Sequence, residues 1–222
     1  MPISREDAPA FVCDLLEERA SLERSELSAR WVARELGQTT GFLYHHWGSF
    51  DAFLLEVSGL GWRRLVASLV RAYEKKKSLV AIVDAYVDFA LAKPVLYWLL
   101  AERALSKDLL AERLGKGSAL PSFAGFEEMM GLLGRALPGM TVTRARALHA
   151  AAHGLASQLL SHRLGSMPDT FGQSEREVAR EIAAEIARTF SPPRTSRSPA
   201  RDRTAASPMH PRTNSRRRSS SR

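Results

Sequence analysis

The chain is 222 residues long and carries 32 Lys and Arg against 24 Asp and Glu, a net charge of +8. Its single cysteine, Cys13, excludes an intrachain disulfide and a thiolate metal cluster. The longest uncharged Ala/Leu-rich run, Ala147–His162, is sixteen residues with three His and a Gln, too short and too polar to span a bilayer, so no membrane partner is expected.

No apolar run with a cleavage site follows the polar, acidic first residues, so the expected compartment is the cytoplasm. A first helix is predicted from Pro9 to about Ala20, with Phe11, Val12, Leu15 and Leu16 on its apolar side. Ser28 is placed to cap the next helix. There Val32, Ala33 and Leu36 form an apolar stripe, while Arg30, Arg34 and Glu35 lie off it. Gly37 supplies the left-handed residue that stops this helix, and Thr39 or Thr40 restarts the chain as a second cap. Leu43 and Trp47, four apart, can pack back onto the first of the pair, leaving Thr40, Phe42, Tyr44, His45 and His46 on the opposite face. A short helix, a Gly-centred turn and a second short helix with polar and aromatic tips is the layout of a helix-turn-helix, whose second helix enters the DNA major groove.

Beyond it, Gly48-Ser49 reads as a break with an N-cap, and Phe50–Ala72 as a long helix ending near Lys75–Lys77. A helix from about Ser78 to Ala92 offers Val80, Val83, Tyr86, Val87 and Ala90 or Leu91 to a core. Pro94, suited to a first turn, opens another that runs to about Ala104. A short amphipathic piece around Lys107–Leu114 and a loop over Gly115–Pro121 precede a helix at Phe123–Leu137, ended by Pro138-Gly139. Thr143–Arg163 is Ala-rich, with Gly154 and Ser157 permitting close approach of a partner helix. Ser174–Phe190 opens with the capping box Ser174/Glu177 and repeats Val178, Ile182, Ile186 and Phe190 every four residues. Residues 191–222 hold nine Arg, one Asp and five Pro, with no Leu, Ile, Val or aromatic residue, so this tail carries the whole +8. It cannot bury enough apolar surface to offset ordering entropy and is expected to be disordered. Residues 1–73 hold eight Arg and ten Asp or Glu, slightly acidic for a DNA-reading head.

The run Val-Ala-Arg-Glu-Leu-Gly (32–37), then Leu-Tyr-His-His-Trp (43–47), then Phe50-Asp-Ala-Phe-Leu54, resembles the TetR family of bacterial transcriptional regulators. The family spacing Ala-x-x-Leu-Gly-x-x-x-x-x-Leu-Tyr-x-His-(aromatic) is present in full, and the resemblance covers roughly residues 8–65, with a weaker helical likeness to about 190. It implies a DNA-binding set of Ser28, Arg30, Thr39, Thr40, Gly41, Phe42, Tyr44, His45 and His46. Ser28 and Arg30 would touch the phosphate backbone, Thr40, Gly41 and Phe42 would face base edges, and the last three would grip flanking phosphates. Phe42 suits a thymine methyl and cannot hydrogen-bond a base edge. The family usually has Lys at the position of Phe50, a phosphate contact that Phe50 cannot make.

By the same resemblance the middle helices enclose a small-molecule effector, which places Tyr86, Phe89, Tyr97, Trp98, Phe123, Phe126, Met129 and Met130 around a ligand pocket. Glu102, Arg103 and the His149/His153 pair would add polar contacts. A homodimer is implied, its four-helix interface built from two copies of the last two helices and including His149, His153, Val178, Ile182 and Ile186. Twofold symmetry would set two reading helices about 34–36 Å apart on double-stranded DNA. No enzyme, metal or cofactor is expected. There is no phosphate loop, dinucleotide fingerprint or nucleophile elbow, and His149 and His153 lack the intervening Glu of the zinc-hydrolase pattern.

The expected fold is all-α: a three-helix helix-turn-helix DNA-binding domain at 5–65, a helical effector-binding and dimerisation domain at 66–190, and the disordered basic tail at 191–222. The expected function is a sequence-specific, ligand-responsive repressor acting as a homodimer. The alternative is a helical ligand-binding or adaptor dimer that no longer binds DNA.

Overall fold

Among the described residues, five helices begin at a hydroxyl that takes up a backbone N–H left over at the helix start. Ser28 accepts from the Trp31 N–H at 3.3 Å, Ser49 from Ala52 at 3.0 Å, Ser78 from Ala81 at 3.3 Å, Thr141 from Arg144 at 3.2 Å and Ser174 from Glu177 at 3.3 Å. Glu177 returns the bond to the Ser174 N–H at 2.9 Å, which completes the capping box. The computed structural model describes residues 2–22, 26–104, 106, 108–109, 111–112, 121–164 and 172–191, with the side chains of 121–124 and 126 left out.

Among the described residues nine helices of seven residues or more are formed, and no strand. They are α1 (Ala8–Glu18), α2 (Ala29–Glu35), α3 (Thr40–Trp47), α4 (Phe50–Lys76), α5 (Leu79–Ala92), α6 (Pro94–Ala101), α7 (Pro121–Ala136), α8 (Val142–Leu160) and α9 (Glu175–Phe190). None is long and apolar enough to cross a membrane. α4 is the spine. It packs on α1 and α3 and also on α5, α6 and α7, while α5, α8 and α9 pack on one another. At Gly61 a Cβ would lie 2.8 Å from Leu100 Cδ2, so the missing side chain lets α6 close onto α4. One apolar cluster runs from Ala8 in α1 to Ala187 in α9. Each fully buried large side chain in it, such as Leu16, Phe53 or Leu99, contributes about 1.5–3 kcal/mol.

Several expectations change. The expected boundary at 65/66 falls inside α4, where Leu65 and Val66 are both buried, and residues 1–192 form one compact unit. In α1 the inward stripe is Ala8, Val12, Cys13 and Leu16, while Phe11 is 36% exposed. α6 stops at Ala101, because Glu102 and Arg103 both donate their N–H to the Trp98 carbonyl and the Arg103 side chain turns to Asp51 at 2.7 Å. The expectations for 107–114 and 115–121 fall largely, and that for a disordered tail almost wholly, outside the described residues.

Candidate DNA interface

The interface begins with how α2 is ended. Gly37 has φ +65°, the Gln38 N–H reaches the Ala33 carbonyl at 2.8 Å, and the Gly37 N–H reaches the Arg34 carbonyl at 3.0 Å. This is the paired closure of a left-handed helix stop, and any residue with a Cβ would be strained there. Thr39 follows as the N-cap of α3 in extended conformation. Its side chain makes no capping bond, and its carbonyl takes the Phe42 N–H at 3.1 Å instead.

α3 is then sorted by its own periodicity. Leu43 (0% exposed) and Trp47 (7%) face the core, where Trp47 meets Phe53 edge-to-face at 4.9 Å. Thr39, Thr40, Gly41, Tyr44 (50%) and His45 are exposed. Phe42 and His46 are half-buried on one flank, their rings 4.7 Å apart, with Phe42 5.9 Å from Trp47. One side of the Phe42 ring is therefore engaged, and the helix tip around it is open. Ser28 is half-buried, and its oxygen caps α2 while its O–H proton remains able to donate. Arg30 is exposed two residues on. Phe50 stacks on Phe53 at 6.4 Å, so it packs where a phosphate-binding lysine would reach out.

The carboxylates of residues 1–73 are partly neutralised by Arg64 within that stretch and by Lys93 and Arg103 beyond it. Arg64 of α4 holds Asp14 and Glu17 of α1, each at 2.5 Å, Lys93 also pairs with Glu17, and Arg103 holds Asp51. Near α3, Glu35 is paired with Arg34 at 2.8 Å. These partly exposed pairs add little stability, but they reduce the repulsion an approaching polyanion would meet. Gln38 was not singled out from sequence. Its Nε2 donates to the Ile3 carbonyl at 3.0 Å, and nothing in the local pattern signals a contact across 35 positions.

In the body, Tyr86, Phe89, Tyr97 and Met129 are buried, Trp98 and Met130 are half-buried, and the Phe123 and Phe126 side chains lie outside the described residues. His149 and His153, expected at a dimer interface, are half-buried and hydrogen-bond within their own chain. The Tyr86 hydroxyl lies 3.2 Å from His149 Nε2 and 3.4 Å from the Tyr97 hydroxyl, which lies 2.6 Å from His153 Nδ1. Three bonds need three protons, and one all-neutral arrangement supplies them: His149 Nε2–H to Tyr86, Tyr86 to Tyr97, Tyr97 to His153 Nδ1. Burial pushes the Tyr86 phenol up to about 12 and the Tyr97 phenol higher still. Burial, and then the neighbouring His153, hold His149 below the ordinary imidazole value. The physical reason is position: both histidines border the face of α8 on which Ala145, Leu148, Ala152 and Leu155 are buried.

Two clefts lie elsewhere. One of about 610 Å³ sits between α1, α4 and α5, lined by Asp14, Glu17, Arg64, Arg71, Phe89 and Lys93 among others. The other, about 260 Å³, lies beside α5 and α9, where Lys76, Asp84, Asp88, Arg176 and Arg180 meet. Of the expected pocket residues whose side chains are described, Phe89 alone lines either of these two. On α9, Val178 is buried, and Ile182 and Ile186 are half-buried. The Cys13 thiol is pushed up to about 11 by burial and stays protonated at neutral pH.

Residues 79–182 match the family model described as the tetracyclin repressor-like C-terminal domain. No curated protein sequence matches the chain. A protein of unknown function from Rhodococcus sp. RHA1 has a similar structure, at 23% identity and a TM-score of 0.56, over 82% of this chain and 93% of that one. So has the multidrug binding protein EbrR, complexed with imidazole, at 21% identity and a TM-score of 0.50, over 84% of this chain and 96% of that one. At these identities the two structures speak for the fold alone. That match covers the C-terminal helices, and the helix-turn-helix of residues 28–47 precedes them in the chain.

Proposed function

We propose that this chain is a cytoplasmic, effector-responsive repressor that binds double-stranded DNA by sequence, as a homodimer, through α3. The observation that carries the reading is the sorting of one eight-residue helix: Leu43 and Trp47 anchor it, and Thr40, Gly41, Tyr44 and His45 stand out from the surface. Ser28 and Arg30 flank that tip with a hydroxyl donor and a cation suited to phosphate oxygens. Small exposed side chains on α8 (Ala147, Ala150), open space at Gly154 and the half-buried Ile182 and Ile186 on α9 support a second copy packing there. An effector would release DNA only by binding the non-DNA conformation more tightly.

Selection of bound duplexes from a random pool tests the reading. Enrichment of a near-palindrome, its half-sites about one helical turn apart and each bearing a thymine at one fixed position, is expected. Phe42→Ala then costs about 1–3 kcal/mol against that site and relaxes the preference at the thymine. A pool with no enriched position overturns the reading, and a single unpaired half-site overturns the dimer.

A further inference from the structure

The short arm ahead of α1 is built into the reading head. The Ile3 N–H donates to the Leu36 carbonyl at 3.1 Å and the Ile3 carbonyl accepts from Gln38 Nε2, so the α2–α3 turn holds residue 3 by both its backbone groups. Pro2 lies over the same turn, its Cα 3.6 Å from where a Cβ on Gly37 would sit. Two residues later Ser4 and Asp7 exchange bonds, Ser4 Oγ donating at 2.8 Å and accepting the Asp7 N–H at 3.2 Å, which fixes the entry to α1. Arg5 sits within this fixed stretch. It is exposed, and its guanidinium carbon is 5.8 Å from the Trp47 ring centroid. That ring adjoins Phe42 and His46, so Arg5 is brought to one flank of α3.

Charge decides what such a side chain is for. Residues 1–74 contain no lysine, so every fixed side-chain cation of the head is an arginine. Of those described before α4, Arg34 is paired with Glu35, Arg19 lies over Trp31 at 5.1 Å and Arg30 is exposed on α2. Arg5 forms no ion pair with a described residue. At the start of α4, Phe50 is stacked on Phe53 and brings no charge to this flank. A guanidinium lying on an indole is oriented by its face, which leaves N–H donors at its edge for a planar acceptor.

We propose that Arg5 is a phosphate-binding residue of the DNA interface, delivered by the Ile3–Gln38 clamp and oriented by Trp47. This rests on the DNA-binding reading above. It adds a contact outside the helix-turn-helix, from a residue that the sequence motif does not include.

The test uses the full chain and a duplex carrying the selected site, with affinity measured from 50 to 200 mM salt. Wild type is expected to lose about 12-fold more affinity than Arg5→Ala across that range, the share of two phosphate contacts, one from each protomer of the dimer. The Arg5→Ala loss is uniform across operator sequences, and Arg5→Lys keeps the salt dependence. Gln38→Ala, which frees the arm, takes away most of what Arg5 adds, so combining it with Arg5→Ala costs less than the two separate losses. The thermal midpoint of Arg5→Ala matches wild type, because the side chain is exposed. An unchanged salt slope for Arg5→Ala overturns the inference while wild-type binding preserves the reading. Wild type that binds no duplex overturns both.

Discussion

The head and the body of this chain treat the same side-chain types in opposite ways. On α3, Tyr44 and His45 point to solvent, and the Tyr44 hydroxyl makes no hydrogen bond with a described residue. In the body, Tyr86, Tyr97, His149 and His153 turn inward and bond to one another in a line across α5, α6 and α8. Residue type does not separate the two cases, since both are Tyr and His on helices with an apolar face. What separates them is hydrogen-bonding capacity already used. The head leaves its donors open to solvent, whereas a molecule entering the centre of the body must first break or replace the 2.6 Å Tyr97–His153 bond.

That contrast is tested most strongly within α3 itself, where adjacent residues have opposite duties. Leu43→Ala empties a fully buried site between α2, α3 and the start of α4, and is expected to cost about 2–5 kcal/mol in urea unfolding. Tyr44→Ala, at a half-exposed position, changes stability by less than about 0.5 kcal/mol and weakens DNA binding instead. A Leu43→Ala protein as stable as wild type would mean that α3 is not seated by its apolar face.

In the body the expected effect is smaller and of the other kind. Tyr97→Phe keeps the ring and removes the hydroxyl that joins Tyr86 to His153, leaving a buried donor and acceptor unpaired. Unfolding is expected to be easier by about 1–3 kcal/mol, with operator affinity unchanged well below the melting temperature. A neutral substitution would show that water or a shifted His153 already serves that nitrogen, and the line of bonds would then not be a structural unit.

What could be read from the sequence follows the range of the interaction. Ser28, Ser49 and Ser174 announced helix starts because a cap and its N–H lie three residues apart. Gly37 announced a stop because positive φ is a property of one residue. Leu43 and Trp47, four apart, announced the opposite face of α3, on which Thr40, Tyr44 and His45 are exposed and Phe42 and His46 half-buried. Contacts between distant positions were not legible. Phe11 is the larger apolar residue, yet Cys13 is the one inside, because the face of α1 is set by what α4 offers it. The spacing of His149 and His153 gave no sign of their bonds to Tyr86 and Tyr97, which lie 63 and 56 positions away. Gln38 gave no local sign of its bond to Ile3.

The mildest perturbation of the head–body contrast is acid. His149 is held below the ordinary imidazole value of 6.5 in the folded chain, first by burial and then by His153. Tyr86, the Trp62 ring and His153 face it directly, and Glu102 is the carboxylate whose charge reaches Tyr97 further along the line. As pH falls through about 6.5 the unfolded chain takes up a proton that the folded chain still refuses, so stability is lost in that direction and restored above it. One proton limits the slope to about 1.4 kcal/mol per pH unit. His149→Gln keeps an amide beside Tyr86 and has no proton to take up. Its stability between pH 7.5 and 5 should therefore fall less steeply than wild type, while DNA affinity at pH 7.5 stays the same. Parallel curves for the two proteins would place the acid sensitivity elsewhere in the fold and remove His149 from the account of it.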